Sequence, residues 1–194
     1  MKNIILIILL YITFNCSSQQ IQRNDMLPMY KLLSAKNWDS AFIAANDILK
    51  RFPDDSSDFK ANVNYAVILS AAGKVANNKM TYPELRETLR PFLGKYMMMP
   101  AHPTTTDTLT TSSGITILGE NKSGIKGTTI TQSADRKTVL CFENFEFGNP
   151  IIISDYDKVR TRCGGKLAIV EINPYMDNIW ILRLRITDAI IQKI

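Results

Sequence analysis

The hydrophobic positions change rhythm twice along the chain. From Ile4 to Phe14 the run is almost wholly apolar and carries no charge. Between residues 25 and 99 apolar side chains recur at spacings of three and four, the period of an amphipathic helix. In residues 115–194 they come in short or alternating runs of Ile, Val, Thr and aromatics, broken by Gly, Asn and Pro, which is the pattern of strands. This predicts an α+β protein, with N-terminal helical hairpins followed by a small antiparallel β barrel or sandwich. Residues 100–114, PAHPTTTDTLTTSSG, separate the two halves and have the composition of a linker.

In the helical half, NWDSAFIAANDILKRFPDD sets Trp38, Ala41, Ala45, Ile48, Leu49 and Phe52 on one stripe, stopped by Pro53. MLPMYKLLSAKN supplies a short partner helix with Leu32 and Leu33. ANVNYAVILSAAGK gives a third helix, ended by Gly73. TYPELRETLRPFLGKY predicts a fourth. Thr81 and Glu84 form its capping box, Pro83 sits in its first turn and Gly94 is its C-cap. Tyr96-Met97-Met98-Met99 then reads as packing residues at a helix end. The aromatic Trp38, the small Ala41 and Pro53 after the second helix resemble a tetratricopeptide-repeat hairpin. Asn64, Tyr65, Ala66 and Gly73 follow the first-helix pattern of a second unit. The resemblance implies a protein-binding role, although such arrays usually need about three units.

In the β half, strands are expected near Ile115–Leu118, Thr128–Gln132, Thr138–Phe142, Ile151–Ser154, Tyr156–Cys163, Lys166–Ile172 and Ile179–Thr187. The stretch RCGGKL reads as a hairpin turning at Gly164-Gly165. That register sets Cys163 opposite Lys166. It puts Val159, Thr161, Cys163, Ala168, Val170 and Ile172 on a core face, and Lys158, Arg160, Arg162 and Glu171 on the other, with Leu167 and Ile169 between them. In NIWILRLRITD, Trp180, Leu182, Leu184 and Ile186 share one face, Arg183 and Arg185 the other. If these strands are neighbours, Arg160, Arg162, Arg183 and Arg185 make a basic face for an acidic partner. The alternative is a solvated sheet face with dispersed charge.

Composition narrows the chemistry. The chain has 23 basic and 18 acidic residues, a formal charge of +5, 45% apolar residues and one histidine. Mild basicity permits an acidic partner without demanding one. His102 alone cannot build a multi-histidine zinc site, and no nucleophile or orienting acid lies near it in sequence. GENKSGIK fails as a phosphate loop because Ile125 stands where lysine is required. Asp155 and Asp157 would share a strand face, where Lys158 and Arg160 pair with them. The arginines lack interleaved aromatics for nucleic acid. No catalytic residue, metal site, cofactor or nucleic-acid partner is therefore expected.

The N-terminus is more telling. After Met1-Lys2-Asn3, the apolar run to Phe14 spans ~16 Å as a helix, about half a ~30 Å bilayer core. It has the length of a signal-peptide apolar region. Followed by Asn15, Cys16 and the polar Ser17-Ser18-Gln19-Gln20, it resembles a bacterial lipoprotein signal of the Bacteroidota type. Thr13 and Asn15 stand where that pattern usually has leucine and a small residue. The resemblance implies removal of residues 1–15 and acylation of Cys16, palmitate being the typical chain. Residues 16–24 become a polar tether. It also implies an outer-membrane protein facing the periplasm. Lipidation uses Cys16 and leaves Cys141 and Cys163 either as a disulfide or as two buried thiols. Asp107-Thr108-Leu109 resembles an O-glycosylation acceptor of the same lineage, which makes Thr108 a candidate site.

The expected function is a non-enzymatic, lipid-anchored cell-envelope protein, an adaptor for an unidentified envelope protein. The alternatives are an immunity-type lipoprotein that neutralises a toxin, and a small-ligand-binding β domain.

Overall fold

The three-and-four spacing of the first half becomes four helices: α1 (Arg23–Ser34), α2 (Trp38–Arg51), α3 (Asp58–Ala76) and α4 (Tyr82–Leu89). The computed structural model describes residues 20–106, 114–121, 124–133, 135–174 and 180–194. Cys16 and Thr108 lie outside the described residues. Asn37 caps α2 by accepting the N–H of Ser40 at 3.2 Å. The expected stripe of α2 is buried at Trp38, Ala41, Ala45 and Ile48, with Phe52 buried just beyond. In α1 the buried residues are Met26 and Met29, while Leu32 and Leu33 are half-buried.

The third helix differs in kind. Every residue of α3 from Ala61 to Gly73 is buried. A helix without a polar face must be enclosed, and α1, α2, α4 and strands of the sheet surround it. Gly73 is required there because a Cβ would overlap the Trp38 indole.

The capping box of α4 forms as expected. The Thr81 N–H donates to Glu84 at 2.7 Å, and the Glu84 N–H donates to Thr81 Oγ1 at 3.4 Å. The helix stops at Leu89, and a 3-10 turn covers Arg90–Phe92, because Pro91 has no N–H to extend the α ladder. Gly94 therefore does not cap α4. At φ +78° it turns the chain into the sheet, and its N–H donates to the Leu167 carbonyl at 2.8 Å.

The strands are β1 (Tyr96–Met98), β2 (His102–Thr105), β3 (Ile115–Asn121), β4 (Gly124–Gln132), β5 (Val139–Phe147), β6 (Arg160–Ile172) and β7 (Trp180–Lys193). Tyr96–Met98 is thus a strand and not a helix end. His102–Thr105, expected as linker, pairs with β3 on one side and β6 on the other. The sheet is mixed, since β2–β3 and β5–β7 run parallel. Its order is β1-β6-β2-β3-β4-β5-β7, and β7 also pairs with β6. The pairings from β6 through β2, β3, β4, β5 and β7 therefore return to β6, a barrel-like ring with β1 alongside. One hydrophobic cluster joins helices and strands, so the two halves share a core.

Three expectations fail within β6, one of them the face assignment: Ala168, expected in the core, is exposed, and Leu167, expected on the other face, is buried. There is no hairpin at Gly164-Gly165, and the strand runs straight through them. Cys163 does not face Lys166; it pairs with Ile191, and Lys166 pairs with Thr187 and Tyr96. The glycines serve close packing instead. A Cβ on Gly164 would strike the Met97 carbonyl of β1, and one on Gly165 would lie 2.6 Å from the Thr187 carbonyl of β7. The strand expected at Ile151–Ser154 is also absent. A 3-10 turn occupies Ile153–Tyr156.

Candidate functional site

The expected basic face divides in two. Strands β6 and β7 are neighbours, but their register sets Arg183 opposite Glu171 and Arg162 opposite Gln192. At ~3.3 Å per residue, those two levels are roughly 30 Å apart along β7. Each arginine also has a partner. Arg160 donates to the Ala101 carbonyl at 2.9 Å. Arg162 donates to Gln192 at 2.6 Å and to Asp58 at 3.2 Å. Arg183 donates to Glu171 at 3.3 Å and lies over the rings of Trp180 and Phe142. Arg185 makes a two-pronged contact with Glu146 at 2.9 and 3.0 Å. The four do not form one cationic surface.

The two cysteines are separated by the same geometry. Cys141 is level with Leu182 on one side of β7, and Cys163 with Ile191 on the other. A span of roughly 30 Å along β7 compares with the ~7 Å limit between Cα atoms of a disulfide. Both are free buried thiols, and the disulfide is not formed. Burial pushes Cys163 up to about 12 and Cys141 well above the usual thiol range.

Strand alternation carries an acid into the core. Val139, Cys141, Glu143 and Phe145 share the core-facing side of β5. Glu143 is 0% exposed. Its Oε1 accepts from the Tyr65 hydroxyl of α3 at 2.7 Å and from Thr131 Oγ1 of β4 at 3.3 Å. Its Oε2 has no partner among the described residues. Burial lifts the Glu143 pKa to about 8, against the opposing pull of those hydrogen bonds. The acid is therefore mostly protonated at neutral pH. Fully enclosed, it meets no solute in this conformation. Sequence reasoning missed it, although Glu143 falls on the same alternation as Cys141 and Phe145.

A surface groove lies elsewhere. The end of α4 lies beside the C-terminal part of β6. Arg86, Leu89, Arg90 and Leu93 form one wall of a groove and Val170 and Ile172 the other, enclosing about 290 Å³. Leu93 at its lip is 49% exposed. Arg90 pairs with Glu87 at 2.6 Å, and Arg86 has no ion-pair partner among the described residues. Lys95 and Lys166 stand exposed at the β1 end.

No protein family, curated protein or solved structure matches this chain.

The remaining candidates fall into structural roles. His102 begins β2 half-buried, and burial together with Arg160 lowers its pKa. Asp157 accepts the N–H and hydroxyl of Thr106 at 3.1 Å each, which holds its carboxyl below the usual range. Among the described residues no three His, Cys, Asp or Glu side chains gather as metal ligands. Among them too, no helix is long and apolar enough to cross a membrane. The groove brings apolar surface and cationic groups together between α4 and β6.

Proposed function

We propose that the protein is a non-enzymatic adaptor of the cell envelope, lipid-anchored through Cys16 at the outer membrane and facing the periplasm. The observation that carries the binding part is the groove between α4 and β6. It pairs apolar walls with an exposed leucine and an arginine that has no ion-pair partner among the described residues. The anchoring part rests on the short apolar run to Phe14, two residues before Cys16, and on the chain length that follows. Ile21 is buried, and its N–H is held by Asp55 at 2.6 Å. Five residues reach at most ~18 Å, so an acyl chain on Cys16 keeps the folded body within that distance of the bilayer.

Mass spectrometry of the mature N-terminus tests the anchor. A diacyl or triacyl Cys16 is expected, and Cys16→Ser should move the protein out of the membrane fraction. An unmodified product beginning at another residue would overturn the anchor. In-cell chemical cross-linking tests the adaptor. A stoichiometric envelope partner is expected, and its absence would count against binding.

A further inference from the structure

The groove borders an unfinished strand edge. On the side of β6 away from β7, β2 pairs at Arg160 and Thr161, and β1 pairs at Gly164 to Lys166. Lys95 and Gly94 extend that contact to Leu167, with bonds of 2.9 and 2.8 Å. Gly94 then turns the chain into the 3-10 turn, and no described strand occupies the lane beyond. Parity shows which groups are left open. The N–H of Asn173 donates to Ile181 of β7 at 3.0 Å. A β-bulge between Leu167 and Ile169 reverses the alternation that bonds Leu167 to Gly94 and Lys95, so Ile169 and Glu171 turn to β7 with Asn173, while Val170 and Ile172 turn to the lane that holds no described strand. These are the two β6 residues that line the groove.

We infer that this edge takes an extended segment of another envelope polypeptide as an added strand, with a carboxylate of that segment held by Arg86. The inference rests on the adaptor reading above. Strand addition uses backbone hydrogen bonds for affinity and adjacent pockets for selectivity. Both are present here: four backbone groups on Val170 and Ile172, and an apolar trough against Leu89 and Leu93. Charge selects the occupant. Arg86 and Arg90 line the groove, Glu87 offsets Arg90, and the exposed Glu171 between Val170 and Ile172 is held by Arg183. The Arg86 guanidinium, without an ion-pair partner among the described residues, matches a carboxylate in two-pronged geometry. The segment is therefore short, apolar on alternate residues and acidic at the end near α4.

The test places a photo-cross-linking amino acid at Leu93 in the full anchored chain, in its own cells, and separately at Ile43 on the exposed face of α2. A cross-link from Leu93 to an extended acidic segment of another protein is expected. A synthetic peptide of that segment should then bind the purified protein and slow hydrogen exchange at the Val170 and Ile172 amides. Arg86→Glu should weaken binding at least tenfold with an unchanged melting curve, while Arg86→Lys restores part of it. Amidating the peptide's C-terminus shows whether the carboxylate is terminal or a side chain. A Leu93 cross-link to lipid or to a second copy of the chain would overturn the inference, as would peptide binding that leaves both amides exchanging freely. Cross-links from Ile43 alone would sink the groove and leave the adaptor reading standing. Cross-links from neither position would sink both.

Discussion

Asp55 and Glu143 are both removed from water, yet they have opposite acidities. Asp55 is 4% exposed and Glu143 0%. At Asp55 burial alone would raise the pKa. Hydrogen bonds from the Ser57 side chain, the Ile21 N–H and the Ser57 N–H, at 2.6, 2.6 and 2.7 Å, reverse this and hold it below the usual range. At Glu143 two hydroxyls reach one oxygen only, the other has no described partner, and burial wins. Depth and donors together set the charge of a carboxyl: Asp55 lies close under the surface with three donors, and Glu143 lies deep with two donors on one oxygen.

The largest test of this contrast is the pH profile of Glu143→Gln. A folded pKa of about 8 against 4.5 in the open chain means the wild type is most favoured below about 4.5 and loses stability as pH rises toward about 8. The full difference corresponds to roughly 5 kcal/mol above that window. Urea unfolding should find the glutamine variant nearly equal to wild type at acid pH and far more stable at alkaline pH. Equal stability across the range would show that Glu143 is solvated. Asp55→Ala comes next, with a loss of about 3 kcal/mol at neutral pH from a buried carboxylate's lost hydrogen bonds. Its contribution has the opposite slope. It is present above the ordinary carboxyl value near 3.8 and fades as pH falls through the lower folded value. The variant and wild type should therefore converge in acid.

Tyr65→Phe should cost about 1–2 kcal/mol and move the Glu143 titration further upward, because the lost hydroxyl favoured the ionised form. A downward shift, read by carboxyl infrared bands or NMR, would mean that Tyr65 opposes ionisation. Thr131→Val removes the longer contact and should cost about 0.5–1 kcal/mol with a smaller upward shift.

These acids also show what could be read from the chain. Local signals translated directly: the stripe of α2, the Thr81–Glu84 box, and the alternation of NIWILRLRITD, whose Leu182, Leu184 and Ile186 are all buried. Alternation in TVLCFENFEF also placed Glu143 among core positions, but a charged side chain is read by habit as outward-facing. Gly164-Gly165 misled for another reason. A glycine pair that avoids collision with β1 and β7 has the same letters as one that turns a hairpin. The neighbours that decide between them come from Met97 and Thr187, far away in sequence. The groove was hidden in the same way, because the open edge on β6 exists only where Gly94, ahead of β1, turns the chain away from β6. The arginines show the converse. Their shared face along each strand was legible, but the offset that parts Arg162 from Arg183 depends on where β6 and β7 align.

The ring of pairings has a consequence for assembly. Strand β7 is last in chain order, yet it joins β5 to β6, and the N–H of Ile194 donates to Arg160 at 3.0 Å. Until residues 180–193 are available, β5 and β6 both offer long unpaired edges, which template aggregation. The helices can gather early from local contacts, but the β layer must wait for its final stave. A chain delivered N-terminus first would therefore hold both edges open until residues 180–193 arrive.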